Sequence, residues 1–380
     1  MKNIKYFLIL IGLIVFISAC KKDEPTVPED DAPFMATPYV FDIPNHFPTI
    51  MNIPEDNPMT VEGVELGRYL YYDERLAGRE DEGLYMSCAT CHIQEHSFEN
   101  GVGFGYGLPD SVTGISKHTS HVMLPHINLI WNPGTYGWNG SVALIEDDVV
   151  GVITDPAEFN STYEKVVNTI SNIPMYPPMF EKAFGTPEIT IDRISKAIAQ
   201  FVRTLIASDS KAHKVFRGEV NFTDAERRGL ILFTTEQGAD CFHCHGSEGA
   251  PLFTTNLFYN NAKDSFFTGI YEDPHDRYHI TGDPMDLGAY KATTLINIEK
   301  TGPYMHDGRF QTLDDVIAFY NGKLKWSPYA DPLMHKLIPP YENGAELTPF
   351  QIADLKAFIL TLTDETFLTN PDFAKPVGLP

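Results

Sequence analysis

Apolar positions along this chain recur mostly at helical spacing. Between Ile191 and Leu205, the residues Ile194, Ile198, Phe201, Val202 and Leu205 fall on one face, which predicts an amphipathic helix burying that stripe. Thr223-Asp224-Ala225-Glu226 has the form of a capping box, in which hydroxyl and carboxylate satisfy each other's backbone N–H groups, so a helix is expected to start there. Thr312-Leu313-Asp314-Asp315 predicts another start, with the helix running through Phe319 and Tyr320. Thr348-Pro349-Phe350-Gln351 caps a last helix, with Ile352, Leu355, Ile359 and Leu360 turned inward. Strand signals are poor throughout, so the fold class expected is mainly α. Long Gly- and Pro-rich connections, such as Gly101 to Gly114, separate the helices. Irregular segments of that length are unusual in a compact domain unless something organises them.

The N-terminus follows a different pattern. Lys2 and Lys5 precede an apolar run of 11 residues, Phe7 to Ile17, too short for a good spanning helix, and Ser18-Ala19-Cys20 follows. This resembles a bacterial lipoprotein signal. Residues 1–19 are then the signal peptide, and Cys20 is lipidated; an ordinary signal peptide is the alternative. The polar, Pro-containing stretch that follows reads as a flexible tether, assigned to residues 20–51. Its Lys21-Lys22-Asp23-Glu24 start resembles surface-export signals of some Gram-negative lipoproteins. The expected location is the periplasm or outer membrane of a Gram-negative bacterium, with membrane contact through lipid alone.

Composition narrows the classes further. At 380 residues and 43% hydrophobic, the chain can build two domains with cores of their own. A net charge of -23 argues against nucleic acid, whose phosphates need basic patches. The acidity suits steering of a basic redox partner, and it serves solubility equally well. The 25 Phe and 18 Tyr suit the wrapping of large planar apolar groups.

Four of the five cysteines stand in two pairs. Cys88-Ala89-Thr90-Cys91-His92 and Cys241-Phe242-His243-Cys244-His245 both read C-x-x-C-H. Two thiols one helical turn apart can add across the two vinyl groups of one haem, and the next His then offers a nitrogen to iron. Redox dithiols would sit in a βαβ pattern, which is missing, and a zinc site would not require His after each pair. Two covalently attached c-type haems are therefore expected. Haem c is attached outside the cytoplasm, which agrees with the export signal. The pairs begin 153 residues apart and divide the chain into haem domains over residues 52–207 and 208–380, with the boundary near Ala207 to Gly218.

Several stretches together resemble the bacterial dihaem cytochrome c peroxidase and MauG-like family, in order and spacing, over nearly all the chain after about Asn52. They are Leu66-Gly67-Arg68 with Tyr72-Asp73, Cys88 to His92, Asn128 through Trp138-Asn139-Gly140, Asp155-Pro156-Ala157-Glu158, Cys241 to His245, and Pro303-Tyr304-Met305-His306-Asp307-Gly308-Arg309-Phe310. The resemblance implies two tandem cytochrome c-like haem domains with long irregular loops. The N-terminal domain would be peroxidatic and the C-terminal one would pass electrons. Glu158 aligns with the family's catalytic glutamate, a carboxylate able to move the peroxide proton. Trp138 aligns with the tryptophan between the haems, though plain core packing would also account for it.

Met305 is the expected second axial ligand of the C-terminal haem, opposite His245, with Met334 in reserve; a thioether there raises the potential. Tyr304 in that role would lower it and point to MauG-like chemistry. The implied reaction is reduction of H2O2 to water with electrons from a small cytochrome c or cupredoxin. The family also implies a calcium ion between the domains, which spacing does not place, and a homodimer is compatible with the reading. Two departures stand out. Asp148 occupies the place where relatives often have Gln, ten residues before the catalytic Glu, and Asn139-Gly140-Ser141 replaces Asp-Gly-Arg. For the distal face of the N-terminal haem, His118, His121 and His126 lie in the right stretch, none matches cleanly, and an open site fits equally. His96 lies too close to His92 to settle the matter. A dihaem electron carrier with both irons closed and a MauG-like oxidase are the rival functions.

Overall fold

The architecture grows from two helix crossings, seen in a computed structural model that describes residues 34–247, 249–265, 275–338 and 343–380. The Val61–Tyr72 helix starts at Thr60, whose hydroxyl accepts a hydrogen bond from the Gly63 amide, and it packs across the Ile191–Arg203 helix. The contact is close because Gly67 has no side chain: a Cβ there would lie 1.9 Å from the Ala197 carbonyl oxygen. The stripe expected on the second helix is buried as predicted, at Ile194, Ile198, Phe201, Val202 and Leu205.

The second crossing repeats the device. The Asp224–Phe233 helix opens with the Thr223–Glu226 capping box and packs across the Pro349–Leu360 helix. A Cβ on Gly229 would lie 2.0 Å from the Asp354 carbonyl oxygen. Burial of each large apolar side chain at such crossings contributes about 1.5–3 kcal/mol.

Helices Ile145–Thr154, Tyr163–Asn172 and Tyr176–Phe184 pack around the first crossing, and Leu313–Gly322 belongs with the second half of the chain. The Ile145–Thr154 helix is clamped to Ile191–Arg203 by a buried pair: Arg203 donates to the two Glu146 oxygens at 2.7 and 2.8 Å and to the Asn52 carbonyl at 3.0 Å. Two short antiparallel strand pairs are present, Phe104–Tyr106 with His118–Val122 and Phe258–Tyr259 with Tyr290–Lys291. Thus the glycine-rich stretch after Gly101 is partly ordered as sheet.

Three expectations change. Leu360 is 36% exposed rather than inward, because it sits one residue round the helix from the buried Ile359. The Pro349–Leu360 helix is followed by another, Glu365–Thr369, capped by Asp364. Residues 36–51, expected within the tether, are part of the folded unit, since residues 36–380 form one compact unit. Phe47, 4% exposed, packs at 5.0 Å against Trp131, and the Tyr39 amide donates to the Met59 carbonyl. The lipidation signal and Cys20 lie outside the described residues. No helix among the described residues is long and apolar enough to cross a membrane.

Candidate active site

Each C-x-x-C-H motif forms a short helix whose thiols line a largely apolar cavity. Cys88–Cys91 is opened by a Ser87–Thr90 capping box. His92 then leaves the helix and donates from Nδ1 to the Phe98 carbonyl at 2.7 Å. The turn that returns this carbonyl passes through Ser97 and Phe98, both at positive φ. In the second motif His245 Nδ1 donates to the Thr293 carbonyl at 3.1 Å. With Nδ1 carrying the proton, Nε2 of each ring keeps its lone pair for a metal. Burial pushes both imidazoles down to about 4, so they are neutral at pH 7.

Burial also lifts the thiols, to about 12 for Cys88, Cys241 and Cys244 and about 11 for Cys91. None of the four is in a disulfide, and no described group of three or more His, Cys, Asp or Glu is arranged to hold a metal ion. Neutral thiols and a neutral imidazole at the wall of an apolar cavity fit covalent attachment of a haem in each.

The first cavity is lined by Cys88, Cys91 and His92 together with Asp148, Glu158 and Trp138. Glu158 is held there by its backbone. The Leu108 amide donates to its carbonyl at 2.8 Å, and Gly107 lets the chains approach, since a Cβ would lie 2.4 Å from the Ala157 carbonyl carbon. Asp148 rides on the Ile145–Thr154 helix that Arg203 clamps. Burial raises the Asp148 carboxyl to about 6. Glu158 is raised to about 8, by burial first and then by the charges of Asp148 and Asp155. At pH 7 Asp148 is mostly ionised and Glu158 mostly protonated.

The three histidine candidates separate. The His126 ring stacks on His92 at 3.6 Å and 18°, and its Nδ1 takes the Tyr71 hydroxyl at 3.1 Å. Its backbone amide donates to the same Phe98 carbonyl that His92 uses. The two rings are thus in van der Waals contact, and both histidines line the cavity. His118 is exposed on its strand and is not part of the cavity wall. His121 does line the cavity and packs edge-on against Tyr290 and His306.

The second cavity holds Cys241, Cys244 and His245 with Met305, Tyr304 and Met334. The Tyr304 hydroxyl is committed to the Ile298 carbonyl at 3.0 Å. Met305, at φ 69°, places its sulfur 3.6 Å from the Asn261 amide nitrogen, and that amide also donates to the Tyr320 hydroxyl at 3.0 Å. Met305 and Tyr320 are therefore neighbours in this cavity. Tyr320 was not singled out from the sequence. The signal was its place at the end of the stripe Leu313, Val316, Ile317, Tyr320, four residues that all line the cavity. Burial holds its phenol well above the usual range, hence neutral.

Trp138 lines both cavities, as do Lys291 and Thr293. Its indole N–H donates to the Val122 carbonyl at 2.9 Å, and its carbonyl accepts from the Lys291 amide at 2.8 Å.

Comparison with known proteins agrees with this geometry. The family described as di-haem cytochrome c peroxidase matches residues 61–221. The methylamine utilization protein MauG of Methylorubrum extorquens is 30% identical over 321 residues, 82% of this chain and 81% of that protein. The cytochrome c551 peroxidase of Nitrosomonas europaea is 28% identical, over 86% of each chain. Among solved structures, a MauG-like protein associated with microbial copper homeostasis aligns with TM-score 0.74 and 30% identity, covering 89% of this chain and 99% of that one.

Proposed function

This chain belongs to the di-haem cytochrome c peroxidase and MauG family, and on that premise we propose that it reduces H2O2 to water with electrons from a small redox protein. The proposal includes two tandem haem modules, each framed by one of the glycine-pinned helix crossings. It also includes export with lipidation at Cys20, which would keep the enzyme at a Gram-negative envelope membrane.

When bound, the haems would supply the stored electrons and the redox-active iron for peroxide reduction. The protein supplies the rest. Both cavities have largely apolar walls, which strengthen electrostatic interactions inside them. Ionised Glu158 accepts the proton of the incoming peroxide and returns it to the leaving oxygen. Asp148 and burial keep the Glu158 carboxyl near 8, so acid and base forms are both populated close to neutral pH. Two electrons and two protons complete the conversion of H2O2 to two waters. Trp138 stands where the cavities share a wall and offers an aromatic stepping stone for the electrons. Met305 and His245 would hold the electron-entry haem, and a thioether ligand would give it a high potential.

The observation that carries this reading is Glu158 in the same cavity as Cys88, Cys91 and His92. Stopped-flow reduction of H2O2 by the reduced protein tests it. Glu158→Gln is expected to lose at least 100-fold in peroxide consumption, since general acid–base catalysis contributes about 10²–10⁴-fold. Full turnover in that variant would end the assignment.

Tyr320 favours a second reading, a MauG-like oxidation of another molecule by peroxide. A phenolate ligand in place of Met305 would lower the potential and stabilise oxidised states of the C-terminal site. Optical spectra of Met305→Ala and Tyr320→Phe decide between them: the variant that changes the C-terminal haem spectrum identifies the ligand.

A further inference from the structure

We propose that Lys291 is a shared anchor for the propionate carboxylates of both haems and so tunes the two potentials together. The proposal rests on the reading that each cavity holds a haem. It goes beyond that reading in assigning a charge partner and a joint effect.

Lys291 is 8% exposed in a chain of net charge -23. The other deeply buried cations have carboxylates: Arg79 has Glu82, Arg203 has Glu146 and Lys263 has Asp307. Among the described residues, no carboxylate lies within ion-pair distance of the Lys291 ammonium. Its contacts are the Thr135 hydroxyl at 3.1 Å and the face of Phe258 at 4.6 Å. The Arg277 guanidinium lies 4.2 Å from the same Phe258 ring, so a second positive charge is close. A buried ammonium without a counter-ion is unfavourable, and it persists where an anion completes the site.

The place of the side chain says which anion. Lys291 lines the cavity of Cys88 and Cys91 and also that of Cys241 and Cys244. It is fixed at that common wall by its strand, paired to Phe258, and by the hydrogen bond that its backbone N–H donates to the Trp138 carbonyl. An ammonium has three donors. One meets Thr135, and two remain for other acceptors. Every haem c brings two propionates, the carboxylates that its own attachment introduces. Lysine acts here as a point charge, which suits acceptors arriving from two directions.

The experiment uses the full-length protein loaded with both haems, with the midpoint potential of each haem read by spectroelectrochemistry. Lys291→Met removes the charge and keeps the length of the stem. A lost cation favours the ferric state, so both midpoints are expected to shift downward. Lys291→Arg is expected to restore them to near the parent values. A shift at one haem only, no shift at either, or failure of Lys291→Arg to restore overturns the proposal. Where Lys291→Met does not load both haems, Lys291→Gln preserves volume and a donor, and the same joint downward shift is required of it. Intact mass of the unsubstituted protein checks the haem premise separately: two haems with unmoved potentials sink the anchor alone, and missing haems sink the premise.

Discussion

Replacing Asp148 with asparagine removes one negative charge from the cavity of Glu158 while leaving the volume almost unchanged. The Glu158 carboxyl lies near 8, so about one tenth of it is ionised at pH 7. Asp148, near 6, is mostly charged at that pH and contributes to the rise, second only to burial. Asparagine leaves burial in place. The Glu158 midpoint therefore falls only part of the way, by about one pH unit, the usual scale for one nearby charge. Its ionised fraction at pH 7 then rises from about one tenth to about one half. Peroxide consumption by the reduced protein, followed by stopped flow from pH 5 to 9, should rise with pH to a plateau in the parent. In Asp148→Asn the curve should move about one unit toward acid, giving about fivefold faster reaction at pH 7 with the same alkaline plateau. A curve that stays in place, or moves toward alkali, refutes the coupling between these carboxyls.

Other outcomes follow from the packing and the buried charges. Gly67→Ala and Gly229→Ala should each destabilise by about 2 kcal/mol or more, read from denaturant midpoints, because either Cβ would lie within 2.0 Å of a carbonyl oxygen at a helix crossing. Arg203→Met strands the buried Glu146 carboxylate and should cost about 3–5 kcal/mol by the same measurement. Glu99, Asp148 and Glu158 are all raised, to about 7, 6 and 8, by burial above all. The folded state thus holds protons that the unfolded chain, with carboxyls near 4, has released. Their contribution to stability is complete below about pH 4 and is lost as pH rises to about 8; the buried histidines, held near 4, work in the opposite sense up to about pH 6.5, so Tm should fall between about pH 6.5 and 8, and a flat or rising Tm there contradicts the burial of Glu99 and Glu158.

Much of this was legible in the sequence because local chemistry agreed with tertiary packing. Threonine caps at Thr223, Thr312 and Thr348 mark helix starts, and the Ile194–Leu205 stripe marks a core face. The C-x-x-C-H pairs announce their chemistry because thiols and imidazole must share one helical turn. Other features depend on contacts distant in sequence. Phe47 is buried because residues distant in sequence, Trp131, Ile130 and His213, lie against it, so residues 36–51 read as tether. His126 resembled His118 and His121 until stacking on His92 set it apart. Tyr320 looked like one more residue of a helix face until Asn261 placed its hydroxyl beside Met305. The proton chemistry of Glu158 was foreseeable from Asp148, but its direction came from burial, which spacing alone does not show.

The central claim is that two porphyrins are bound through thioethers at Cys88/Cys91 and Cys241/Cys244. Intact mass spectrometry of the denatured, mature protein addresses it directly, since denaturation releases any haem held without covalent bonds. The mass expected is that of the polypeptide plus two haems, with one lost in Cys88→Ala/Cys91→Ala and the other in Cys241→Ala/Cys244→Ala. A parent protein carrying one haem or none contradicts the account.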